Sequence, residues 1–373
     1  MRQIFSEMSK QQEAENPSGD IIFNDLSKYD HEQIVFCQDN ATGLKAIIAI
    51  HNTVLGPGLG GTRMYHYASD KDAIVDVLRL SRGMTYKASI AGLNLGGAKA
   101  VIIGDSKTQK SEAYMRKFGR FVQNLNGKYI TAEDVGTTTK DMEYISMETD
   151  YVVGLPEIHG GGGDPSPVTA YGVYMGMKAS AKQVWGTDSL SGKTVAVQGI
   201  GKVGEHLLEF LNKEGAKLIV TDIHQEHLDR AVSLYNASVV AKDEIYDVKS
   251  DIFAPCALGA ILNTDNINRL KCAIVCGAAN NQLADEDMHG KMLIEKGITY
   301  APDFLVNSGG LINVYSEYTG YKREIAMAST ENIYSQTLDI FKKAAKEGIS
   351  TQAAAIQLAE KRIADMAKVK STY

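Results

Sequence analysis

Two lysines lie in a stretch of sequence that is otherwise almost free of charge. Lys87 and Lys99 belong to MTYKASIAGLNLGGAKAVIIGD, residues 84–105, in which Asp105 is the one further charged residue. Burying an ammonium group without a partner costs several kcal/mol, so two lysines among glycines and apolar residues indicate a use for the charge. One cation can bind a carboxylate, and a second cation nearby has a lowered pKa and can act as a general base. The spacing alone does not decide which lysine does which, but an exposed lysine without function fits Lys99 poorly.

Carboxylates follow the next predicted strand. The segment YITAEDVGTT, residues 129–138, places Glu133 and Asp134 at the end of that strand. Carboxylates in this position could relay a proton or stabilise an iminium ion. Together with the two lysines, they indicate a cleft for acid–base chemistry on a substrate that carries a carboxylate.

A glycine-rich turn lies in the second half of the chain. Residues 199–204 read GIGKVG, after the predicted strand KTVAVQ and before the predicted helix EHLLEFLNKEG. In this pattern the first glycine makes a tight turn, the second lets the backbone approach a pyrophosphate, and the third permits close helix–strand packing. Asp222 ends the next strand, 21 residues beyond Gly201, where a carboxylate can accept hydrogen bonds from the adenosine ribose. The residues expected to contact the cofactor are Gly199, Gly201, Lys202, Val203, Gly204 and Asp222.

The surroundings of Asp222 indicate which dinucleotide binds. No arginine stands beside it in VTDIHQ, and its carboxylate would repel a 2′-phosphate, so NAD is expected rather than NADP. A turn that binds another nucleotide, or none, is the alternative. Dinucleotide binding points to hydride transfer, with the substrate and the acid–base groups held by the first part of the chain.

Strands and helices alternate along most of the sequence. Residues 44–54 and 99–105 are predicted strands, and the helical spacing of Ile74, Val77 and Leu78 predicts one apolar helix face. Beyond the glycine turn, strands alternate with helices, which predicts a parallel sheet with crossover helices. The expected fold class is α/β, with an N-terminal α/β substrate domain and a Rossmann-type NAD-binding domain separated by a cleft.

A cluster of helix and strand breakers marks the expected domain boundary. GLPEIHGGGGDPSP, residues 154–167, holds five glycines and three prolines, which we interpret as a flexible hinge. No Gly-Lys-Ser/Thr follows the four glycines, so a phosphate loop is disfavoured. The predicted division is 1–153 for substrate binding and oligomerisation, 154–349 for NAD binding, and 350–373 for a C-terminal helix that returns to the first domain.

Composition limits the class of partners. The chain has 373 residues, more than a single core usually holds, and its net charge of −6 disfavours nucleic acid or an anionic membrane surface. No apolar run reaches the roughly 18–20 residues of a membrane span. The polar N-terminus has no secretory signal and is expected to be a frayed leader or a surface helix. Four cysteines without metal-ligand spacing predict reduced thiols, no metal site and a cytoplasmic protein.

Eight motifs, spread in order over nearly the whole chain, resemble those of one enzyme superfamily. They are GPGLGGTRM (56–64), MTYKASIAGLNLGGAKAVIIGD (84–105), YITAEDVGTTTKDM (129–142), DPSPVTAYGVYMGMKA (164–179), KTVAVQGIGKVG (193–204), APCALGAIL (254–262), GAANNQL (277–283) and APDFLVNSGGLINV (301–314). The sequence thereby resembles the glutamate/leucine/phenylalanine/valine dehydrogenases, and among them most closely the leucine-specific enzymes. The resemblance implies NAD-dependent oxidative deamination of an L-amino acid to a 2-oxo acid and ammonium, and the reverse reductive amination. It also implies a homo-oligomer, which is typically an octamer for leucine enzymes and a hexamer for glutamate enzymes.

The resemblance further implies roles for individual residues. Lys87 would bind the substrate α-carboxylate together with Gly60 and Gly61. Lys99 would activate the water that attacks the iminium ion, and Asp134 would exchange protons with the substrate nitrogen. The nicotinamide or substrate side would be lined by Thr169, Asn280 and Asn281.

The pocket for the substrate side chain, placed by the same resemblance, is apolar. It consists of Leu59, Ala132, Leu311 and Val314. A glutamate carboxylate buried there without a partner would cost several kcal/mol. Leucine, valine and isoleucine differ by methylenes that such a pocket separates by only ~1–3 kcal/mol, so a mixed branched-chain preference is expected. Leu311 stands where a valine is expected, which would narrow the pocket and favour valine.

Two other functions stay open from the sequence. A phenylalanine or valine dehydrogenase would use the same fold, although Leu59 and Leu311 count against an aromatic substrate. A non-catalytic sensor of NAD or of an amino acid would have lost the reactive lysine or carboxylate, yet Lys99 and Asp134 are both present. The hinge HGGGGDPSP has more glycines than expected and lacks an Asn before its first proline, which would loosen domain closure.

Overall fold

The structure is a computed structural model that describes residues 29–370, without the side chain of residue 370. The leader that the sequence predicts at the N-terminus lies outside the described residues. Within them, two sheets form the centres of two layered α/β units, as the alternation of strands and helices predicts.

The first sheet has five strands in the order β1-β2-β4-β3-β5. Strand β2 pairs antiparallel with β1 and β4, whereas β3 pairs parallel with β4 and β5. The strands are β1 (Gln33–Asp39), β2 (Leu44–Asn52), β3 (Gly58–Tyr65), β4 (Gly96–Ile103) and β5 (Tyr129–Glu133). The helices of this part are α1 (Asp70–Ile90), α2 (Glu112–Gln123) and α3 (Thr139–Ser146).

Helices cover both faces of this sheet, which explains why β2 is apolar along nearly its whole length. Ile48 and Ile50 pack in the core with α2 and α3, while Ile47 and Ala49 pack with α1 on the opposite face. Such alternation is the two-residue period of a strand. The predicted apolar face of α1 is confirmed, because Ile74, Val77 and Leu78 are all buried there.

The second sheet has six parallel strands in the order β11-β10-β9-β6-β7-β8, which confirms the predicted parallel sheet. The strands are β6 (Thr194–Gln198), β7 (Lys217–Thr221), β8 (Ser238–Val239), β9 (Ile252–Pro255), β10 (Ile274–Val275) and β11 (Thr299–Tyr300). The helices are α4 (Ser166–Trp185), α5 (Lys202–Lys213), α6 (Gln225–Tyr235), α7 (Thr264–Arg269), α8 (Glu286–Glu295), α9 (Asp303–Val306), α10 (Gly309–Tyr318), α11 (Arg323–Glu347) and α12 (Thr351–Lys370). Two short 3₁₀ turns lie at Glu157–His159 and Ile245–Asp247.

The glycine-rich segment between the two sheets is packed against α10. Glu317 of α10 accepts a hydrogen bond from the Gly154 N–H at 2.7 Å. A Cβ atom at Gly161 would lie 1.7 Å from the Leu155 carbonyl oxygen, and one at Gly162 would lie 2.6 Å from Asn313 Nδ2. Close packing on the backbone therefore requires glycine at position 161, whereas a side chain at position 162 would have to displace neighbouring side chains. The hinge interpretation did not include this packing.

The last helix, α12, packs on α1 of the first unit. Ser89 Oγ donates to the Ala359 carbonyl oxygen at 2.8 Å, and Arg362 Nη1 donates to the Leu93 carbonyl oxygen at 2.7 Å. The contact ties the end of the chain to the helix that carries Lys87. Between residues 29 and 370, no helix combines the length and the apolar character that crossing a bilayer requires.

Candidate active site

A cleft of about 620 Å³ lies between the two α/β units and holds most of the residues proposed for substrate binding and catalysis. Side chains from β3, β4, the end of β5 and α1 form one wall, and residues from the second unit form the other. The predicted residues that line the cleft are Leu59, Gly61, Lys87, Lys99, Ala132, Asp134, Asn280, Asn281, Leu311 and Val314.

Close packing of α1 on β4 brings the two lysines to the same cleft. A Cβ atom at Gly97 would lie 2.1 Å from the backbone nitrogen of Thr85, so only glycine lets the helix approach the strand this closely. Lys87 lies two residues beyond Thr85 on the helix, and Lys99 lies two residues beyond Gly97 on the strand. Strand β4 begins at Gly96, three residues before the predicted strand, because this contact holds the glycines in the sheet.

Lys99 forms an ion pair with Asp134 in the cleft. Its Nζ lies 2.7 Å from Asp134 Oδ2, and Lys99 is 7 % exposed. Burial by itself raises the pKa of the Asp134 carboxyl, but the charges of Lys99 and Arg63 outweigh burial and lower the pKa below its ordinary value. Asp134 therefore rests as a carboxylate that can accept a proton.

Lys87 lies in the last turn of α1 and faces the second unit across the cleft. Its Nζ lies 3.5 Å from Asn280 Oδ1. Burial lowers the pKa of Lys87 to about 8, the charge of Asp303 opposes this shift, and the charge of Lys99 adds to it. The lysine with the lowered pKa is thus the one to which the resemblance gives the anchoring role.

A buried polar network positions Asn280. Asn307 Nδ2 donates to Asn280 Oδ1 at 2.8 Å and to the Ala278 carbonyl oxygen at 3.1 Å. Asp303 is 4 % exposed and accepts hydrogen bonds from the backbone N–H groups of Gln282 and Phe304. Burial raises the pKa of Asp303 to about 6 despite these bonds. Lys87 thus faces both an amide oxygen and a buried carboxyl group.

Arg63 and Asp303 are charged residues of the cleft that the sequence analysis missed. Arg63 lies in the quoted motif GPGLGGTRM, two residues after Gly61, so the strand period places both on one face. Asp303 lies in the quoted motif APDFLVNSGGLINV. A charged residue inside each apolar motif was the available signal.

The two neighbouring glycines of β3 differ in their access to the cleft. Gly61 lines it, but Gly60 is not among the lining residues. A Cβ atom at Gly60 would lie 1.7 Å from the Ala98 carbonyl oxygen, so this glycine is required by the contact between β3 and β4. Thr169 likewise is not among the lining residues, and its hydroxyl donates to the Pro165 carbonyl oxygen at 3.0 Å.

The glycine turn of the second unit has the geometry of a dinucleotide site. Gly199 has a φ of +96°, which only glycine adopts without strain, and a Cβ atom at Gly204 would lie 2.3 Å from the Gly199 carbonyl oxygen. Gly201 is the N-cap of α5, and apart from its two chain neighbours no residue has a heavy atom within 4 Å of the position that its Cβ would take. The open backbone at a helix N-terminus fits a pyrophosphate, as NAD requires.

Other residues of this turn differ in how well they fit the predicted contacts. Asp222 accepts hydrogen bonds from the backbone N–H of Ile200 at 2.6 Å and of His224 at 2.8 Å, beside the turn. Lys202 is exposed, and its Nζ lies 3.2 Å from Oδ2 of Asp164 in the linker, the glycine-rich segment 154–165 between the two sheets. Val203 is partly buried and packs on the core of this unit.

Comparison with known proteins covers nearly the whole chain. A sequence model described as the Glu/Leu/Phe/Val dehydrogenase dimerisation domain matches residues 31–151, and one described as Glutamate/Leucine/Phenylalanine/Valine dehydrogenase matches 160–225 and 220–371. The leucine dehydrogenase of Thermoactinomyces intermedius is 59% identical over 94% of this chain and 96% of its own. The phenylalanine dehydrogenase of Lysinibacillus sphaericus is 48% identical over 95% of this chain and 94% of its own.

A solved structure confirms the fold. The L-tryptophan dehydrogenase of Nostoc punctiforme superimposes with a TM-score of 0.83 at 45% identity, over 93% of this chain and all of that one. Identities of this size over nearly full length mean that more than the fold is shared. The chain belongs to the glutamate/leucine/phenylalanine/valine dehydrogenase family.

Proposed function

We propose that this chain catalyses the NAD-dependent oxidative deamination of branched-chain L-amino acids to 2-oxo acids and ammonium, and the reverse reductive amination. The observation that carries the proposal is the 2.7 Å contact between Lys99 and Asp134 in a cleft that also holds Lys87 and an apolar pocket. Leucine dehydrogenases that are 54–59% identical to the chain support the substrate class, since phenylalanine dehydrogenases are 48–49% identical.

Lys87 and Asn280 would bind the α-carboxylate and the α-amino end of the substrate. The Lys87 ammonium would pair with the α-carboxylate, which would stabilise its charged form as the charge of Asp303 already does. Asn280 comes from the opposite wall and already lies 3.5 Å from Lys87, so a substrate that contacts both residues would be held by both units. This contact across the cleft would exclude water as the substrate binds.

Asp134 and Lys99 would handle the protons. Asp134 takes a proton from the substrate ammonium, which frees the nitrogen lone pair. NAD, which the glycine turn of Gly199, Gly201 and Gly204 would hold, would supply the hydride acceptor for the substrate Cα. Lys99, after giving up its own proton to solvent, would take a proton from the water that attacks the iminium carbon. Asp134 would return its proton to the nitrogen of the adduct, and collapse of the adduct, with the hydroxyl proton passing to solvent, would release ammonia and the 2-oxo acid.

The side-chain pocket explains the preference for aliphatic substrates. Leu59, Ala132 and Leu311 are 2 %, 7 % and 6 % exposed, and Val314 packs beside them. None of the four can pair with the side-chain carboxylate of glutamate, so burying it there would cost several kcal/mol. The large side chains of Leu59 and Leu311 count against an aromatic substrate, which makes the aromatic activity the second candidate.

A homo-oligomer, and specifically an octamer, is part of the same proposal. A dimerisation-domain match covers residues 31–151, which include the whole first sheet. Light scattering on the protein as it elutes from a size-exclusion column measures the mass of the assembly directly. A mass of eight chains would support the octamer, and six would contradict it.

The test of the function is NADH formation with L-leucine, L-valine, L-isoleucine, L-phenylalanine and L-glutamate as substrates. The wild type and Lys99→Ala should be compared, since general acid–base groups contribute about 10²–10⁴-fold to rate. We expect branched-chain activity in the wild type and a loss of kcat of at least about 10²-fold in the variant. Turnover of phenylalanine alone would favour the aromatic enzyme, and NAD binding without any turnover would favour the sensor.

A further inference from the structure

Arg63 reaches the catalytic carboxylate from β3, the strand next to the one that carries Lys99. Its Nε lies 3.3 Å from Asp134 Oδ2, and its Nη1 lies 3.0 Å from Asp76 Oδ2. The Arg63 side chain is 24 % exposed, so water screens these contacts only in part. One guanidinium therefore bridges the carboxylate of the cleft and a carboxylate on α1.

Both cations make their closest approach to the same oxygen of Asp134. Lys99 Nζ is 2.7 Å from Oδ2, and Arg63 Nε is 3.3 Å from it. Two cations on one oxygen fix the rotation of the carboxylate. The other oxygen, Oδ1, takes neither of these contacts and can face the substrate nitrogen.

Arg63 is itself held from behind. Asp76 Oδ2 accepts the hydrogen bond from Arg63 Nη1 and also one from the Tyr67 hydroxyl at 2.6 Å. The guanidinium thus has a partner on each side and cannot turn away from Asp134 without losing the bond to Asp76. A planar group that donates in two directions suits this place, and an ammonium would serve it less well.

We propose that Arg63 is a positioning residue, which holds the Asp134 carboxylate towards the substrate nitrogen. The inference rests on the proposed function, because that function has Asp134 take a proton from the substrate ammonium. Arg63 stays charged throughout, since a guanidinium does not lose its proton in a protein.

The charge on Asp134 depends on groups from every element around it. Lys99 faces it from β4 and Arg63 from β3, Lys87 lies further off on α1, and Tyr129 is buried on β5. Burial raises the pKa of Asp134, and the charges of Lys99 and Arg63 lower it. When Arg63 is removed, Lys99 opposes the effect of burial without its help. Loss of the Arg63 charge therefore raises the pKa of Asp134.

The experiment compares R63Q, R63K and R116Q with the wild type. Arg116 lies on α2 outside the cleft and pairs with Glu112 on the same helix and with Glu148 after α3, so R116Q is the matched loss of an ion-paired arginine elsewhere. The pH profile of kcat/KM for L-leucine is the first readout. In R63Q we expect its acid limb to move up by about 1 pH unit, because an adjacent opposite charge lowers a carboxyl pKa by about 1–3. R63K keeps a cation and should recover at least half of that shift, and R116Q should show none.

A second readout needs no turnover. In protein labelled with ¹³C at the aspartate carboxyls, the Asp134 resonance is identified by its loss in D134N, and it should titrate at higher pH in R63Q than in the wild type. An inactive wild type would refute the proposed function and leave this titration as the test of Arg63. R63Q with lower activity at every pH, an unmoved acid limb and an unmoved Asp134 titration would overturn the inference, because Arg63 would then be only structural.

Discussion

We expect Leu311 to limit the depth of the side-chain pocket, so replacing it with valine should shift the substrate preference towards leucine. Leu311 lies in the first turn of α10, is 6 % exposed, and lines the cleft with Leu59 and Ala132. The change removes one methylene from the wall. A longer substrate gains the space, and a shorter one loses contact with the wall.

The expected size of this shift follows from the transfer free energy of the group. One buried methylene is worth about 0.8 kcal/mol, which corresponds to roughly a fourfold change in a rate ratio. We therefore expect Leu311→Val to raise the ratio of kcat/KM for leucine to kcat/KM for valine by about fourfold. The change should not exceed the ratio that corresponds to ~3 kcal/mol, which is the upper limit for one methylene.

The assay measures kcat/KM for both amino acids with the wild type, Leu311→Val and Leu305→Val. Leu305 is fully buried on α9 in the same core but is not among the cleft-lining residues, so it controls for a general loss of packing. Both variants should lose about 1 kcal/mol of unfolding free energy. An unchanged ratio in Leu311→Val, or an equal change in Leu305→Val, would refute the assignment of pocket depth to Leu311.

Three further predictions concern pH, the glycine turn and the linker. The pKa of Lys87 is lowered to about 8, so the lysine is charged below that pH and loses its charge above it. The KM of a 2-oxo acid should therefore rise by up to tenfold per pH unit above about pH 8. Lys87→Arg keeps the charge and should remove this rise. Asp303→Asn takes away the opposing charge and should start the rise at lower pH. Gly201→Ala should leave the melting temperature unchanged but raise the KM for NAD. Gly204→Ala should lower the free energy of unfolding by about 1–3 kcal/mol, because its Cβ would lie 2.3 Å from a backbone oxygen. Equal melting temperatures of the two variants would contradict this. Gly162→Ala places a Cβ within 2.9 Å of three side chains and should lower both the melting temperature and kcat, and wild-type values would show that the linker is loose there.

Much of the fold could be predicted from the sequence, because the signals are local. The apolar face of α1 follows from a helical period, and the strand, glycine turn, helix and Asp222 of the dinucleotide site follow one another within thirty residues. Each depends on backbone geometry over a few neighbouring residues. The four apolar pocket residues and the roles of the two lysines came from resemblance, which carries a known spatial arrangement with it.

Only the tertiary structure decided which charges act on one another. Arg63 and Asp134 are separated by 71 positions in sequence, Lys87 and Asn280 by 193, and no periodicity connects such residues. The structure also separated the neighbours Gly60 and Gly61, one packed under β4 and one open to the cleft. Desolvation and Coulomb interactions depend on the distance between groups in space and on how much water remains around them. Residue types alone therefore indicated a cluster of ionisable groups, but not which of them pair. The sequence by itself determined the cofactor motif, because its signals are local, and the apolar pocket was supplied by the family resemblance. The packing of α1 and β3 on β4 determined how the ions pair, because ion pairing depends on distance in space.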